Sequence, residues 1–484
     1  MRQYWAMART LAALTEIPLS RLSGVGPAKQ KALASFGLET VFDLLTHYPR
    51  RYIDRTKEAQ IRDLDLEETK LLFEQATRAV PKRIDWSEVR PAAVYPLSAE
   101  ETDETEAIQQ GSEALRSHQV AVVLVAGGEG SRLGFAQPKG LFPIGSISGR
   151  SLLEVLIDRI EAMSNRYETR LPLFLMTSPD THAPIEKFLQ QQGLLDRERI
   201  PITLFCQEQM PAVDRNSGRI LMTSPGLLAL SPNGHGGMLS SFANHGCLKD
   251  VLQGGVKYLF YGQIDNPLLP ICDPRLIGYH VLAESEMSTH VVRKTDASER
   301  VGVGLLVHDA LRIVEYSHLP KTVADRIASD GHLQFWAGSM GSHVLNTSLL
   351  ERSTADTNLL PYHAMPKTVP CLDDHAVPHG ENAFKFERFI FELASVAKNP
   401  IMVEVDRRAS FAPVKNDNAT GRDTPATARK IMSNLYRGWL TAAGIQVAPD
   451  IDLEVHPRWA LDQPELAARL TGCTKIDTPT FFHP

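Results

Sequence analysis

The 484-residue sequence predicts an α/β fold, in which a mixed and mostly parallel β-sheet is flanked by helices. Two observations lead to this prediction. From residue 120 onward, short apolar runs rich in β-branched residues alternate with segments of helical period, as in a parallel sheet covered on both faces. The first apolar run, 120–126, leads into three glycines within four residues, which is typical of a strand that ends at a ligand. Small lobes are predicted at both ends of the chain.

We divide the chain into four parts. Residues 1–62 form a helical appendage, 63–112 an acidic helical segment interrupted by the Pro-containing link 90–99, 113–403 the main domain, and 404–484 a C-terminal lobe. In the main domain, periodicity predicts strands at 120–126, 171–177, 202–206 and 258–262, and helices at 151–163, 183–193 and 384–398. In the C-terminal lobe it predicts helices at 427–444 and 463–472.

Composition excludes several classes of protein. The net charge of -6 argues against nucleic acid as the partner of the whole chain, and no apolar stretch approaches the ~20 residues that a membrane span needs. The five cysteines are scattered and lack CxxC spacing, which indicates reduced thiols rather than a disulfide or zinc framework. We therefore expect a cytoplasmic protein without membrane contact.

Residues 1–62 differ from the rest in charge, with ten Lys and Arg against five Asp and Glu, a net of about +5. The GVGP sequence at 24–27 is a turn of the helix-hairpin-helix kind, and the run DLLTHYPRRYIDR at 43–55 follows it. This stretch resembles the N-terminal region of the RecG-type DNA helicase, although no helicase motor follows. The resemblance implies weak DNA phosphate contact by residues 1–62; a helical appendage without a DNA role is the open alternative.

The glycine loop, VAVVLVAGGEGSRLGFAQPKGLFP at 120–143, is the most informative stretch. Its glycines at 127, 128 and 130 allow backbone N–H groups to approach a ligand closely, and Arg132 and Lys139 follow as cations. The spacing matches neither the Walker pattern nor GxGxxG. It matches LxxGGxGxRLGxxxPK, from Leu124 to Lys139, which is the signature of sugar nucleotidyltransferases.

Further motifs follow in order, among them QEQMPAVD, SPNGHGG, IDNPL, ERVGVG, IVEYS, FWAGS and FAPVKND. From about residue 63 to 430 the chain resembles the eukaryotic-type UDP-N-acetylglucosamine (UDP-N-acetylhexosamine) pyrophosphorylases, within the wider UTP:sugar-1-phosphate uridylyltransferases. The resemblance implies a Rossmann-like, GT-A-like nucleotidyltransferase fold. It also implies the reaction of UTP with a sugar 1-phosphate to give a UDP-sugar and pyrophosphate, an in-line displacement that needs positioning and charge neutralisation.

The resemblance assigns roles residue by residue. Arg132, Lys139, Lys385 and Lys415 would act on the phosphates, and Asp265 would hold Mg²⁺, which takes few carboxylates plus phosphate oxygens and water. The nucleotide-binding positions would be Leu124, Gly127, Gly128, Gly130, Gln207, Gly234 and His235. The sugar-binding positions would be Gly302, Glu315, Tyr316 and Ser339.

Simpler interpretations stay open at this point. Gln207 could cap a strand, Asp265 could cap a turn, and Arg132 could form a surface salt bridge. Glu315, Lys385 and Lys415 could be solvated residues. Two positions depart from the family, which usually has Asn at Ser339 and at His235. An N-acetylhexosamine 1-phosphate is the favoured substrate, glucose 1-phosphate or a broad range of sugars is the alternative within the same enzyme class, and a DNA-binding protein acting through residues 20–55 is the alternative outside it. The sequence leaves the oligomeric state open.

Overall fold

The computed structural model describes residues 17–22, 25–35, 38–41, 43, 69–74, 84–97, 101–224, 227–356, 359–372, 380–470 and 472–484. The chain forms two compact units, Met1–Gln60 and Ile61–Pro484. In the first unit, helix α1 (Pro27–Ala34) begins after Gly26 and has Pro27 at its first position, where the missing N–H costs no hydrogen bond. Gly24 of the predicted hairpin and the run 44–55 lie outside the described residues.

Eleven strands of the described chain form one sheet in the second unit. In chain order they are β1 (Arg90–Pro91), β2 (Val94–Tyr95), β3 (Val120–Val125), β4 (Leu173–Thr177), β5 (Ile202–Cys206), β6 (Tyr258–Gln263), β7 (Met287–Arg293), β8 (Val303–Val307), β9 (Ala310–Val314), β10 (Ala337–Asn346) and β11 (Ile401–Glu404). The main path runs β2-β11-β7-β10-β6-β3-β4-β5, and β1, β8 and β9 branch from β10 through β8. Only β10 runs antiparallel to its neighbours on that path, so the predicted mixed, mostly parallel sheet is confirmed.

The register of the central strands positions the site. Strands β6, β3, β4 and β5 are adjacent and parallel, with Leu124 opposite both Gly262 and Leu175. Their carboxyl ends therefore meet at one edge of the sheet, and Gly127, Ser178, Gln207 and Asp265 lie within two residues of those ends. Ligands of open α/β sheets bind at this edge.

Helices cover both faces of the sheet. They are α2 (Glu101–Arg116), α3 (Leu152–Arg166), α4 (Pro179–Gln191), α5 (Met238–Asn244), α6 (Cys247–Gln253), α7 (Pro274–Leu282), α8 (Lys321–Ala324), α9 (Thr347–Ala355), α10 (Arg407–Ser410), α11 (Pro425–Ala442) and α12 (Gln463–Arg469). Capping boxes start α3 at Ser151 and α4 at Ser178, because each hydroxyl accepts a hydrogen bond from the third helical N–H. Short 3-10 helices span Leu19–Arg21, Ser131–Leu133, Lys139–Leu141, His235–Gly237, Ile390–Ser395 and Asn418–Thr420.

The acidic segment packs on the sheet domain through two glycines. A Cβ on Gly278 of α7 would lie 1.6 Å from the carbonyl oxygen of Ala107 in α2, and a Cβ on Gly111 of α2 would lie 1.9 Å from that of Pro274. The two helix backbones are therefore in direct contact. Part of the predicted acidic helical segment is thus a helix packed against α7. None of the helices in the described parts of the chain has the length and apolarity to cross a membrane.

Shorter strands complete the structure. Gln209–Pro211 pairs with Leu230–Pro232, Met222–Ser224 with Leu227–Leu228, and Ala383–Glu387 lies between His363–Lys367 and Val213–Asp214. In the C-terminal lobe, Gln446–Val447 pairs with Lys475–Ile476 and Leu453–Val455 with Thr480–Phe482. The lobe shares one apolar cluster with the glycine loop, because Leu133 and Ile144 pack with Val414, Met432 and Leu440.

Two sequence predictions were wrong. Residues 384–398 form a strand followed by a 3-10 helix rather than one α-helix, since Phe384 and Phe386 alternate with Lys385 and Glu387 at the period of a strand. The link 90–99 contains β1 and β2, which pair with β8 and β11, so its prolines mark edge strands rather than a separator.

Candidate active site

The glycine loop folds back on itself into a closed cradle. Gly130 N–H donates to Gln137 O at 3.0 Å, and Lys139 N–H donates to Gly128 O at 3.0 Å. Any side chain at 130 is excluded, because a Cβ there would lie 2.5 Å from Gln137 O and 2.7 Å from Phe135 O. These bonds fix where the loop leaves β3 and where Lys139 begins its helical turn.

A pocket of about 290 Å³ opens beside this cradle, close to the smallest size of known small-molecule sites, ~300 Å³. It brings together six of the predicted residues: Gly127, Gly128, Gln207, Gly234, His235 and Lys385. They come from the loop after β3, the residue after β5, the 3-10 turn near 235 and the strand Ala383–Glu387. The sequence separates these segments widely, and the sheet edge unites them.

The Gln207 side chain is buried and oriented by two acceptors. Its Nε2 donates to Gly234 O at 2.5 Å and to Asn233 Oδ1 at 3.1 Å, which uses both of its N–H bonds. Its Oε1 points toward Gly127, where a Cβ would lie 3.3 Å away. Gln207 thus offers the pocket an acceptor only, whereas the residue type alone would allow a donor as well.

The turn that follows Gln207's partner Asn233 depends on glycine at two positions. Gly234 has φ of +79°, and a Cβ there would lie 2.6 Å from Arg388 O. A Cβ on Gly237 would lie 1.7 Å from Asn233 Oδ1. The backbone of this turn therefore lies directly against the segment that carries Lys385.

His235 is held as a neutral ring. Its Nδ1 accepts a hydrogen bond from Ile390 N–H at 3.4 Å, so the proton of the neutral ring is on Nε2. The ring packs against Phe389 and Phe391, with centroids 5.6 and 5.5 Å away. Burial lowers the pKa of His235 to about 4, so the side chain carries no charge near neutrality.

Two of the residues predicted to act on the phosphates and the metal, Lys139 and Asp265, form an ion pair. Lys139 Nζ lies 3.8 Å from Asp265 Oδ2, and both side chains keep a minority of their surface exposed. The Asp265 carbonyl accepts a hydrogen bond from Val414 N–H at 2.8 Å, which joins this strand end to the C-terminal lobe. Arg132 lies on the exposed rim of the glycine loop.

Lys415 stands beside the predicted sugar residue Glu315. Burial raises the pKa of Glu315, and the charge of Lys415 and a hydrogen bond from Tyr316 N–H oppose that rise. The Lys415 main chain is fixed by Asp423, whose carbonyl accepts from Lys415 N–H at 2.7 Å. Tyr316 exposes 44% of its surface.

Gly302 and Ser339, the other two predicted sugar residues, are direct neighbours. Ser339 N–H donates to Gly302 O at 2.8 Å, and Ser339 Oγ accepts from Gly341 N–H at 3.2 Å. The short hydroxyl is therefore engaged by its own strand.

A larger cavity of about 800 Å³ has Glu315 in its wall. Trp86, Phe389 and Phe391 give it an aromatic lining, and the rings of Phe389 and Phe391 stack in parallel with centroids 5.4 Å apart. His363 and Glu392, paired at 2.8 Å, add a polar patch. Because Phe389 and Phe391 also pack on His235, this cavity and the smaller pocket share a wall.

Two predicted nucleotide residues lie apart from the small pocket. The Leu124 side chain is fully buried in the core of the sheet. Gly130 lines a cavity of about 690 Å³ on another side of the glycine loop. Conversely, sequence reasoning missed Asn233 and Glu387, although Asn233 opens the NGHGG motif and Glu387 follows Lys385 at strand spacing.

A bound metal would rest on a single protein carboxylate. Among the residues that the structure describes, no group of three or more His, Cys, Asp or Glu side chains could hold a metal ion. Asp265, beside Lys139 at the end of its strand, could supply that carboxylate. Mg²⁺ is often held by one or two carboxylates and completes its coordination shell with phosphate oxygens and water.

Comparisons with known proteins agree with this geometry. Residues 69–452 match the family model of UTP–glucose-1-phosphate uridylyltransferase, and residues 18–85 match that of the RecG wedge domain. The chain is 32% identical over 393 residues to the UDP-N-acetylglucosamine pyrophosphorylase of Saccharomyces cerevisiae, covering 79% of this chain and 82% of the relative. It is 31% identical over 368 residues to the human UDP-N-acetylhexosamine pyrophosphorylase-like protein 1, covering 74% and 71%.

The fold has relatives of known structure. The uridine diphosphate N-acetylglucosamine pyrophosphorylase of Trypanosoma brucei, solved in complex with an inhibitor, superposes with a TM-score of 0.74 at 23% identity, covering 86% of this chain and 90% of that one. The predicted nucleotidyltransferase fold and both resemblances are therefore confirmed. The match to the RecG wedge domain extends 23 residues beyond residue 62.

Proposed function

Because the chain belongs to the UTP–glucose-1-phosphate uridylyltransferase family, we propose that it transfers the uridylyl group of UTP to an N-acetylhexosamine 1-phosphate and releases pyrophosphate. N-acetylglucosamine 1-phosphate and N-acetylgalactosamine 1-phosphate are the proposed acceptors, in keeping with the names of the relatives. The observation that carries the proposal is the 290 Å³ pocket, where glycine backbone, the Gln207 oxygen and Lys385 converge beside the Lys139–Asp265 pair.

The pocket suits a uracil base. Both N–H bonds of the Gln207 amide are used internally, so its Oε1 is left to accept a hydrogen bond from the ligand. Uracil carries an N–H at ring position 3, whereas cytosine has an acceptor there. An acceptor facing an acceptor stays unpaired, which costs about 1–3 kcal/mol when buried. Gln207 therefore favours UTP over CTP.

The cations suit an in-line displacement. A phosphate oxygen of the sugar 1-phosphate attacks the α-phosphorus of UTP, that P–O bond forms, and the bond to the β-phosphate oxygen breaks. Lys139 and Arg132 neutralise the departing pyrophosphate and the α-phosphoryl oxygens, while Lys385 and Lys415 hold the sugar phosphate. Positioning of two polyanions supplies most of the rate, and no strong base is needed.

Asp265 would hold Mg²⁺ in this site. The ion would neutralise phosphate charge when bound, which is the chemistry that Mg²⁺ supplies in phosphoryl transfer. Lys139, 3.8 Å from the same carboxylate, keeps that carboxylate paired and oriented toward the phosphate end.

The acetamido preference has a physical basis in the larger cavity. Glu315 offers acceptors to sugar hydroxyls, and the walls formed by Trp86, Phe389 and Phe391 offer apolar surface to an acetamido methyl. Burying such a methyl group contributes about 0.8 kcal/mol, which a hydroxyl at the same position does not gain. Glucose 1-phosphate is thus the weaker substrate.

Pyrophosphate release tests the function directly. The protein is assayed with UTP, CTP, ATP and GTP against N-acetylglucosamine, N-acetylgalactosamine and glucose 1-phosphates, in the presence and absence of Mg²⁺. Release that requires UTP, Mg²⁺ and an N-acetylhexosamine 1-phosphate supports the proposal. Equal release with glucose 1-phosphate would select the alternative of a UDP-glucose or broad UDP-sugar pyrophosphorylase, and no release with any pair would refute the transferase.

The N-terminal unit supports a second, weaker activity. Its net positive charge and the match of residues 18–85 to the RecG wedge domain favour contact with DNA phosphates. Binding that falls steeply with salt and disappears when residues 1–62 are deleted would support it; salt-independent or unchanged binding would refute it. We also place the enzyme in the cytoplasm, since its five cysteines are free thiols.

A further inference from the structure

The loop between β7 and β8, residues 294–302, carries a buried carboxylate that the reaction itself does not use. Glu299 exposes 3% of its side chain. Its Oε2 accepts hydrogen bonds from Thr295 N–H at 2.8 Å and Thr295 Oγ1 at 3.2 Å. Its Oε1 pairs with Arg407 and lies 3.8 Å from Arg422. A carboxylate is so deeply buried only when it is paired.

Both arginines belong to the segment that presents Lys415. The Arg407 guanidinium lies over the Phe411 ring at 5.0 Å, and Lys415 Nζ lies over the same ring at 5.9 Å. Arg422 O accepts from Asn416 Nδ2 at 2.9 Å, and the next residue, Asp423, accepts the N–H groups of Lys415 and Asn416. The two arginines thus frame the turn from which Lys415 extends.

The main chain of Glu299 leads to two of the predicted sugar-binding residues, Gly302 and Ser339. Glu299 O accepts from Val301 N–H at 3.0 Å, and the adjacent Gly302 accepts from Ser339 N–H. Arg407 also donates to Arg293 O at 3.1 Å, and Arg422 to Thr295 Oγ1 at 3.2 Å, so both arginines cross from the C-terminal lobe to this loop. One carboxylate therefore links the Lys415 turn to the Gly302–Ser339 contact.

We propose that Glu299 is a positioning residue, whose carboxylate holds the Lys415 turn in register with the Gly302–Ser339 contact so that the sugar 1-phosphate is held between them. The proposal rests on the proposed function, because it assigns Lys415 to the sugar 1-phosphate. The effect falls on the sugar phosphate rather than on UTP, since the uracil contact at Gln207 belongs to the other end of the site.

Glu299→Gln keeps the shape and an acceptor for Thr295 but removes the charge that both arginines share. We expect the KM for the sugar 1-phosphate to rise about tenfold or more, with a change of less than about twofold in the KM for UTP, because displacement of a positioning group by 1 Å can cost about a hundredfold. The matched control is Glu286→Gln. Glu286 is also buried and pairs with Arg352 at 2.7 Å, but it precedes β7 whereas Glu299 follows it. Its removal should leave both KM values unchanged.

A double variant separates positioning from a general structural role. If Glu299 acts through Lys415, then Glu299→Gln combined with Lys415→Met should have the sugar-phosphate KM of Lys415→Met alone. Additive effects would overturn the proposal, as would an unchanged sugar-phosphate KM in Glu299→Gln. If Glu299→Gln fails to fold, Arg422→Met replaces it as the test, because the Arg422 side chain is 44% exposed and its loss should not prevent folding. A selective rise in the KM for the sugar 1-phosphate in Arg422→Met supports the proposal, and an unchanged KM overturns it. A wild-type protein without transferase activity would instead refute the proposed function.

Discussion

Lys139 Nζ lies 3.8 Å from Asp265 Oδ2, which places a cation of the glycine loop against a carboxylate from the end of a neighbouring strand. The pair is formed because β3 and β6 are adjacent and parallel, so their carboxyl ends meet. The lysine suits the negative charge of pyrophosphate, and the aspartate suits a divalent ion. We therefore propose that the phosphates bind at this corner of the sheet.

Lys139→Ala should lower kcat about a hundredfold or more without unfolding the protein. The lysine stabilises charge that develops on the leaving pyrophosphate, and removal of one such group typically costs about 10²–10³ in kcat. Steady-state pyrophosphate release measures the effect. Lys249→Ala, which removes an exposed lysine on α6, is the matched control and should keep wild-type turnover. A Lys139→Ala enzyme with normal kcat would remove Lys139 from its role.

Gln207→Met should weaken discrimination between UTP and CTP. The substitution keeps the volume but loses the Oε1 acceptor and both internal donors. We expect the ratio of kcat/KM for UTP over CTP to fall about tenfold, which corresponds to one buried hydrogen bond of about 1.4 kcal/mol. An unchanged ratio, with a normal melting temperature, would mean that Gln207 only supports Asn233 and Gly234.

Chelation of divalent ions should abolish activity, and added Mg²⁺ should restore it. Asp265→Asn should then need a much higher Mg²⁺ concentration for half-maximal rate, because a neutral amide binds the ion less tightly than a carboxylate does. The titration of rate against Mg²⁺ in both proteins makes the comparison. Full activity in the presence of excess chelator would exclude the assigned ion.

His235 should make the protein less stable in mild acid. Its pKa is lowered to about 4 by burial, while the unfolded chain keeps the usual value near 6.5. The unfolded state therefore binds the extra proton first, so the stability present above pH 6.5 is lost progressively as the pH falls toward 4. Urea unfolding at pH 7.5 and pH 5 should show a smaller loss for His235→Asn than for the wild type. An equal loss of unfolding free energy in both proteins would mean that other titrating groups determine the sensitivity to acid.

Asp158→Asn should destabilise the protein by about 3–5 kcal/mol while the KM values stay constant. Asp158 is fully buried in α3 and pairs with Arg150, with Arg197 at 3.2 Å and with His456 of the C-terminal lobe at 3.3 Å. Loss of its charge removes the fully buried counter-ion of these guanidinium groups and leaves them only the more exposed carboxylates of Glu154 and Glu161, which is costly for a buried ion-pair cluster. Arg166, on the same helix as Asp158, forms a more exposed pair with Glu465 of α12, and Arg166→Met should cost about 1 kcal/mol or less. Equal losses of unfolding free energy in the two variants would contradict the role of Asp158 as a buried counter-ion.

The sequence predicts the strands of the site closely, for a physical reason. Strand β5 was predicted at its observed bounds and β3 within one residue, because a buried strand between turn residues shows as an uninterrupted apolar run. The prediction of a helix at 384–398 was wrong because the spacing of its aromatic residues fits a helix and a strand equally well. Its pairing with His363–Lys367 and Val213–Asp214, distant in the chain, decides the outcome.

The sequence identified six candidate residues that the structure brings to one pocket, but it did not predict the contacts that orient them. Motif spacing identified Gln207, but its use as an acceptor depends on Asn233 and Gly234, which lie 26 and 27 residues further on. Likewise, Glu299 looks like an ordinary charged loop residue until Arg407 and Arg422 are seen beside it. Local patterns predict where a chain folds, whereas partners across the fold determine which atoms face the ligand.

The most direct test of the central claim is a crystal structure of the protein with UDP-N-acetylglucosamine and Mg²⁺. The account predicts the uracil N3 within about 3 Å of Gln207 Oε1, the phosphates beside Lys139 and Asp265, and the sugar next to Glu315. Nucleotide density elsewhere on the protein, with the pocket beside Gly127 and Gly128 empty, would contradict it.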